Sequence, residues 1–101
     1  MADSSAYASS LKSLKAELTA IVDRFDTLNA IDIWRTASIL HEEIFLLTDR
    51  TIIRLRQLNN ILIVPDVYKI YTEALTYLLL KVNHRAFSSL TSGYHNLTPP
   101  S

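Results

Sequence analysis

The sequence predicts an all-α fold of three or four long helices, arranged as an up-and-down bundle or an elongated helical hairpin with heptad-type packing. Three observations carry this expectation. One glycine and three prolines in 101 residues, two of those prolines at the extreme C-terminus, leave almost no punctuation for turns or bulges. Apolar residues recur at alternating spacings of three and four, the period of a helix face. Hydrophobic residues make up 49% of the chain and charged residues 20%, a globular balance well away from that of disordered chains.

The first helix is predicted over residues 5–28. Leu11, Leu14, Leu18, Ile21, Phe25 and Leu28 form a heptad seam, and Lys12, Lys15, Glu17 and Arg24 lie off it, so the helix should pack on one side with the other face wet. Ser9, Ser10 and Ser13 are candidate local caps.

Residues 29–32 favour capping, with Asn29 or Asp32 starting a second helix over 30–63. Ile33, Ala37, Leu40, Ile44 and Leu47 share one stripe. Trp34 and Phe45 sit about 100° round from it and Ile39 and Leu46 lie on a third line. A helix apolar on most sides is expected to be central in its bundle or buried by another subunit. Thr48 and Asp49 offer a re-start, so a break near 48–49 would turn this segment into two helices, the second with Ile52, Leu55, Leu58 and Leu62 on one face and Arg50, Arg54 and Gln57 on another, and with the pair Asn59 and Asn60 near its end.

Pro65 disfavours helical geometry at Val64, and Asp66 is placed to cap the last helix, predicted over 66–91. Its main stripe is Tyr68, Tyr71, Leu75, Leu78, Val82 and Ala86. Val67, Ile70, Ala74, Tyr77, Leu80 and Phe87 lie outside that stripe. Gly93 supplies a helix stop, followed by a tail over 94–101.

A chain of 101 residues fits one domain, 1–101, with no room for a second core. The second and last helices carry more apolar surface than a small monomer buries easily, which points to a homo-oligomer or a helical partner protein. The predicted interface residues are Leu11, Leu14, Leu18, Ile21 and Phe25 on the seam, with Trp34, Ile39, Phe45, Leu80 and Phe87 as the surplus. Without cysteine there is neither a disulfide framework nor a thiol site. Residues 1–10 do not read as a secretory signal, and no apolar run is long enough to span a membrane, so a cytoplasmic address is expected. Asn96-Leu97-Thr98 fits the glycosylation pattern, but Pro99 follows it and no secretory signal accompanies it, so it is set aside.

The formal net charge is zero, yet residues 1–49 hold eight acids and four bases while residues 50–101 hold two acids and six bases. Such asymmetry holds neighbouring helices together, steers association, or leaves a basic face for an anionic partner. Arg50 and Arg54 are one turn apart, as are Lys81 and Arg85 beside His84, and each pair can present charge from one face to phosphates. The alternative is that these bases pair with the acidic first half, including Asp23, Asp26, Glu42 and Glu43; nucleic acid is thus a partner the sequence allows without favouring.

No catalytic, cofactor-binding or metal-binding set emerges. Glu-x-x-His pairs, which place two metal ligands on one helix face, do not occur, and His41, Glu42 and Glu43 are adjacent positions that diverge by about 100° each. A phosphate-cradling loop needs more than one glycine. Arg35 and His41 have the Arg-x5-His spacing that resembles the motif of helical RNases of the HEPN class, where an arginine and a histidine act on an RNA phosphate. The resemblance covers two residues and implies a cleavage site formed by Arg35 and His41. In a regular helix these side chains stand about 120° apart, so they would need a distorted helix or a dimer interface to cooperate. The structural alternative is that Arg35 pairs with Asp32 or another acid and His41 is a rim residue. The sequence therefore points first to a non-enzymatic assembly subunit acting through helix–helix contacts, with a coat-like nucleoprotein subunit and a HEPN-like RNase as rivals.

Overall fold

The computed structural model describes residues 3–28, 32–59 and 61–97, with side chains described over 8–28, 32–59 and 62–88. The fold is an all-α bundle of three helices: α1 (Asp3–Thr27), α2 (Ile33–Gln57) and α3 (Val64–Leu97), the last entered through a 3-10 turn at Ile61–Ile63. All three pack against one another. Residues 15–22 of α1 lie beside residues 70–77 of α3, and Asp26 meets Lys81, so α1 and α3 run parallel. Residues 34–41 of α2 lie beside 75–82 of α3, and Phe45 and Ile52 lie near Tyr68 and Tyr71, so α2 runs antiparallel to both. The end of α1 falls level with Arg85, which reaches the carbonyl of Leu28. From there α3 continues for roughly 12 residues, about 18 Å at a helix's rise, past the other two helices. The molecule is accordingly a rod, 71 × 19 × 19 Å.

The core is assembled from Leu14, Leu18, Val22 and Phe25 on α1, Leu40, Ile44, Ile52 and Leu55 on α2, and Val67, Leu78 and Val82 on α3. Each such side chain contributes about 1.5–3 kcal/mol by leaving water. Two neighbours demand a wider stripe than a two-helix seam does. Val22, one position round from the heptad line, is completely buried beside α3, while Ile21 is half-buried and Leu28 is exposed. α1 still packs on one side, with Leu11, Leu14, Leu18, Ile21, Val22 and Phe25 inside an arc of about 100°, and only the stripe is wider than the heptad line. The stripe of α3 is likewise rotated: Val67, expected outside it, is fully buried, and Tyr68, expected within it, is half exposed at the α2 edge.

The helix ends follow local chemistry. Asp32 caps α2, its carboxylate accepting from the backbone N–H of Arg35 at 3.0 Å. The expected break near 48–49 does not occur, and α2 is one continuous helix. The hydroxyls of Thr48 and Thr51 are buried there and donate back to the carbonyls of Ile44 and Leu47, both at 2.8 Å, so neither competes for a cap. At the far end Asn59 takes φ 57°, the left-handed geometry that closes a helix and that asparagine tolerates better than most residues. Pro65 sits in the first turn of α3, where no backbone donor is lost, so that helix starts at Val64 instead of Asp66. Gly93 does not stop α3, which continues to Leu97. The glycine has no positive φ, and one glycine costs a helix only about 1 kcal/mol. The expectations on 29–31, Asn60 and 98–101 lie outside the described residues.

Candidate interaction surfaces

Three helices have no centre for a fourth face, and this decides where the surplus apolar residues go. α2 contacts both neighbours with one side only, and Trp34, Ile39, Phe45, Leu46 and Ile53 remain exposed on it. Among the described residues thirteen large apolar side chains are exposed against eleven in the core, an imbalance well beyond scattered surface leucines.

These side chains fall into separate surfaces. The first is a groove between α2 and α3 on the side away from α1. Trp34, 61% exposed, Ala37, Ser38 and His41 form one wall of a cleft of about 430 Å³, opposite Leu75, Leu78, Leu79 and Val82. Further along the same groove Phe45 and Ile52 face Tyr68 and Tyr71. The α3 wall carries Thr72, Thr76 and Asn83 at its outer edge, where helical register places them next to Leu79. Asp49 is the one acidic side chain and His41 the one imidazole lining these two parts of the groove among the described residues. A second surface is the line Ile39, Leu46, Ile53, spaced by sevens on the outer side of α2. Leu80 and Phe87 form a third, on the outer side of α3.

The predicted interface set thus divides in two. Leu14, Leu18 and Phe25 are buried and Leu11 and Ile21 half-buried against α2 and α3, so the seam of α1 is used within the chain. Trp34, Ile39, Phe45, Leu80 and Phe87 are all at least half exposed. The groove partners Tyr68 and Leu79 were not singled out as interface positions. The helical spacing of Tyr68 fits core or interface alike, and the rotation of α3 places it at an open edge.

The predicted phosphate-binding bases divide as well. Lys81 is covered between the helices, paired with Asp26 and, at 3.8 Å, Asp23, with its ammonium 4.7 Å from the centre of the Tyr77 ring. The hydrogen bond to Asp26 raises its pKa above the ordinary value of 10.5, against the opposing effect of burial. Arg85 donates to the carbonyls of Phe25 and Leu28 at 3.3 and 3.2 Å and lies 4.9 Å from the Phe25 ring centre, capping the negative end of α1. These contacts tie the basic second half to the acidic first half. Arg24 adds a link to Glu43 at 2.8 Å between α1 and α2; side chains on these antiparallel helices each lean toward their own N-terminus and so toward each other. Arg50 and Arg54 are exposed and make no ion pair among the described residues.

Arg35 and His41 stand on different sides of a regular α2, and His41 lines the groove while Arg35 does not. Asp32 engages the backbone N–H of Arg35, and the guanidinium forms no ion pair among the described residues. No three His, Asp or Glu side chains converge among the described residues, and no described helix is long and apolar enough to cross a membrane.

Charge also sorts along the rod. Helix directions bring Lys12, Lys15, Arg50, Arg54, Arg56 and Lys69 to the half containing the α2–α3 turn, with Glu17, Asp49, Asp66 and Glu73 among the acids there. Acids predominate in the other half, where Lys81, Arg85 and Arg24 are already paired or capping.

No family model, curated protein or solved structure matches this chain.

Proposed function

We propose that this protein is a cytoplasmic, non-enzymatic assembly subunit that self-associates by laying the α2–α3 groove against the same groove of a second copy. The observation that carries this reading is the groove itself, with Trp34, Phe45, Tyr68 and Leu79 exposed along a nearly uncharged cleft. Interface centres are rich in aromatic residues and poor in charge, and a hydroxyl and amide rim such as Ser38, Thr72, Thr76 and Asn83 is their usual border. The exposed parts of those four large side chains amount to roughly 400 Å² of apolar surface, given that each aromatic offers about 150–250 Å² in full. A standard interface takes about 800 Å² from each partner, with somewhat over half of it apolar, so groove and rim together are of the right size.

Light scattering behind size-exclusion chromatography, over a range of protein concentration and at low and high salt, tests this reading. A defined multiple of 11.5 kDa that survives high salt supports it, because apolar contacts are insensitive to screening. A mass of 11.5 kDa at every concentration sinks it. Large species that disperse as salt rises would favour the coat-like nucleoprotein alternative, for which Arg50 and Arg54 remain the accessible bases.

A further inference from the structure

We infer that the tip of the bundle at the α2–α3 turn is a docking point for an anionic phospholipid surface. Beyond the lower end of the groove, Leu58 closes α2 at 62% exposure and Leu62 stands out of the 3-10 turn at 89%, the most exposed large apolar side chain described. Ile53, one turn up the outer side of α2, is half exposed as well. Neither Leu58 nor Leu62 lines the α2–α3 groove, and no side chain among the described residues covers them.

What surrounds them selects the partner. Arg54 and Arg56 occupy the last turn of α2, directly behind Leu58, and Arg50 lies one turn further back. All three are exposed, and none makes an ion pair among the described residues. Helical register puts Ile53 between Arg56 on one side and Arg50 on the other. Lys69 and Lys12 add charge at a similar level, against Asp49, Asp66 and Asp3 at this end. Leucines at the point with long cationic side chains behind them match a bilayer interface, where apolar groups enter the acyl boundary and arginines stay among the phosphates. A second copy of this tip is the wrong occupant, because a tip-to-tip contact would face arginine with arginine. Nucleic acid satisfies the arginines but leaves Leu58 and Leu62 unused, since neither offers a ring on which a base can stack.

The test uses the full chain and co-sedimentation with vesicles of phosphatidylcholine alone or mixed with phosphatidylserine. The protein is expected to pellet with the mixed vesicles, less so as salt rises, and not with phosphatidylcholine alone. Leu62→Asp, at a position too exposed to disturb the fold, should weaken vesicle binding by about tenfold or more. The double change Arg54→Glu with Arg56→Glu should lose it in the same assay, with thermal melts confirming that both variants are folded. Absence from the mixed vesicles, or binding that Leu62→Asp leaves intact, overturns the inference. So does preferential capture of a single-stranded polynucleotide that depends on the arginines and ignores Leu62. Because Leu58 and Leu62 lie outside the α2–α3 groove, the outcome is separable from self-association.

Discussion

Replacing Arg85 by Met keeps the aliphatic stem and removes three attractions that share one charge. The guanidinium donates to the carbonyls of Phe25 and Leu28 from a single nitrogen, at 3.3 and 3.2 Å, and stacks 4.9 Å from the Phe25 ring centre. A hydrogen bond from a charged donor contributes about 1.5–3 kcal/mol, but one donor divided between two acceptors at long distance belongs at the bottom of that range. The ring contact is worth about 0.5–1 kcal/mol and the charge at the end of α1 about 0.3–1 kcal/mol. These overlap, since each is an interaction of the same half-buried charge, so the net loss is about 2 kcal/mol. In a domain of this size each kcal/mol moves the midpoint by about 4–8 °C, and Arg85→Met should therefore melt about 10 °C below the parent. Arg85→Lys keeps the charge near the helix end without the planar reach and should lose about half as much. Circular dichroism melts at one fixed protein concentration measure this, because association would otherwise add its own stabilisation. If Arg85→Met melted within about 2 °C of the parent, the capping role would be wrong and Arg85 would return to the set of bases available to a partner.

Lys81→Met is a pH experiment. Its hydrogen bond to Asp26 raises the lysine's pKa in the folded state above 10.5, so the stabilisation is complete below the unfolded value and is lost as pH rises through the folded one. The gap in urea midpoint between parent and variant should stay level from neutral pH to about pH 9 and close in the more alkaline range; closure already at neutral pH contradicts the pairing. At Asn59, whose φ is 57°, Gly should leave urea stability equal or raised, whereas Val should lower it by about 1–2 kcal/mol, and equal stability of the two variants would argue against left-handed geometry there. Gly93→Ala should raise far-UV helicity and add up to about 1 kcal/mol of helix propensity, while a fall in helicity would restore the glycine as a stop.

The helical period was plain in the sequence because Leu14, Leu18 and Phe25 face one way at any reasonable register, and these became core. What periodicity does not contain is the number of neighbours. A helix touching one partner needs a narrow seam, and a helix touching two needs Val22 as well, which the heptad line omits. The same ambiguity hid Tyr68 as a groove residue, since its stripe position gives core or edge depending on a rotation of α3 by a fraction of a turn, and Leu79 lay on neither of the lines drawn for that helix. Thr48 and Asp49 suggested a cap because threonine serves both purposes; only the core around Ile44 makes back-bonding to the helix the better use of its hydroxyl. The charge asymmetry was legible as composition, but its division into Lys81 and Arg85 facing α1 and Arg50 and Arg54 facing outward depends on which helices run parallel.

The groove contains its own reporter, since Trp34 is the chain's single tryptophan and stands 61% exposed at one end of it. Its emission and its quenching by acrylamide, followed from dilute to concentrated protein, test the central claim most directly. Self-association through this face predicts a blue shift and falling quenchability as concentration rises, both abolished by Leu79→Asp on the opposite wall. Emission that stays solvent-like and fully quenchable while the scattered mass multiplies would place the contact on another surface, and the groove would no longer account for assembly.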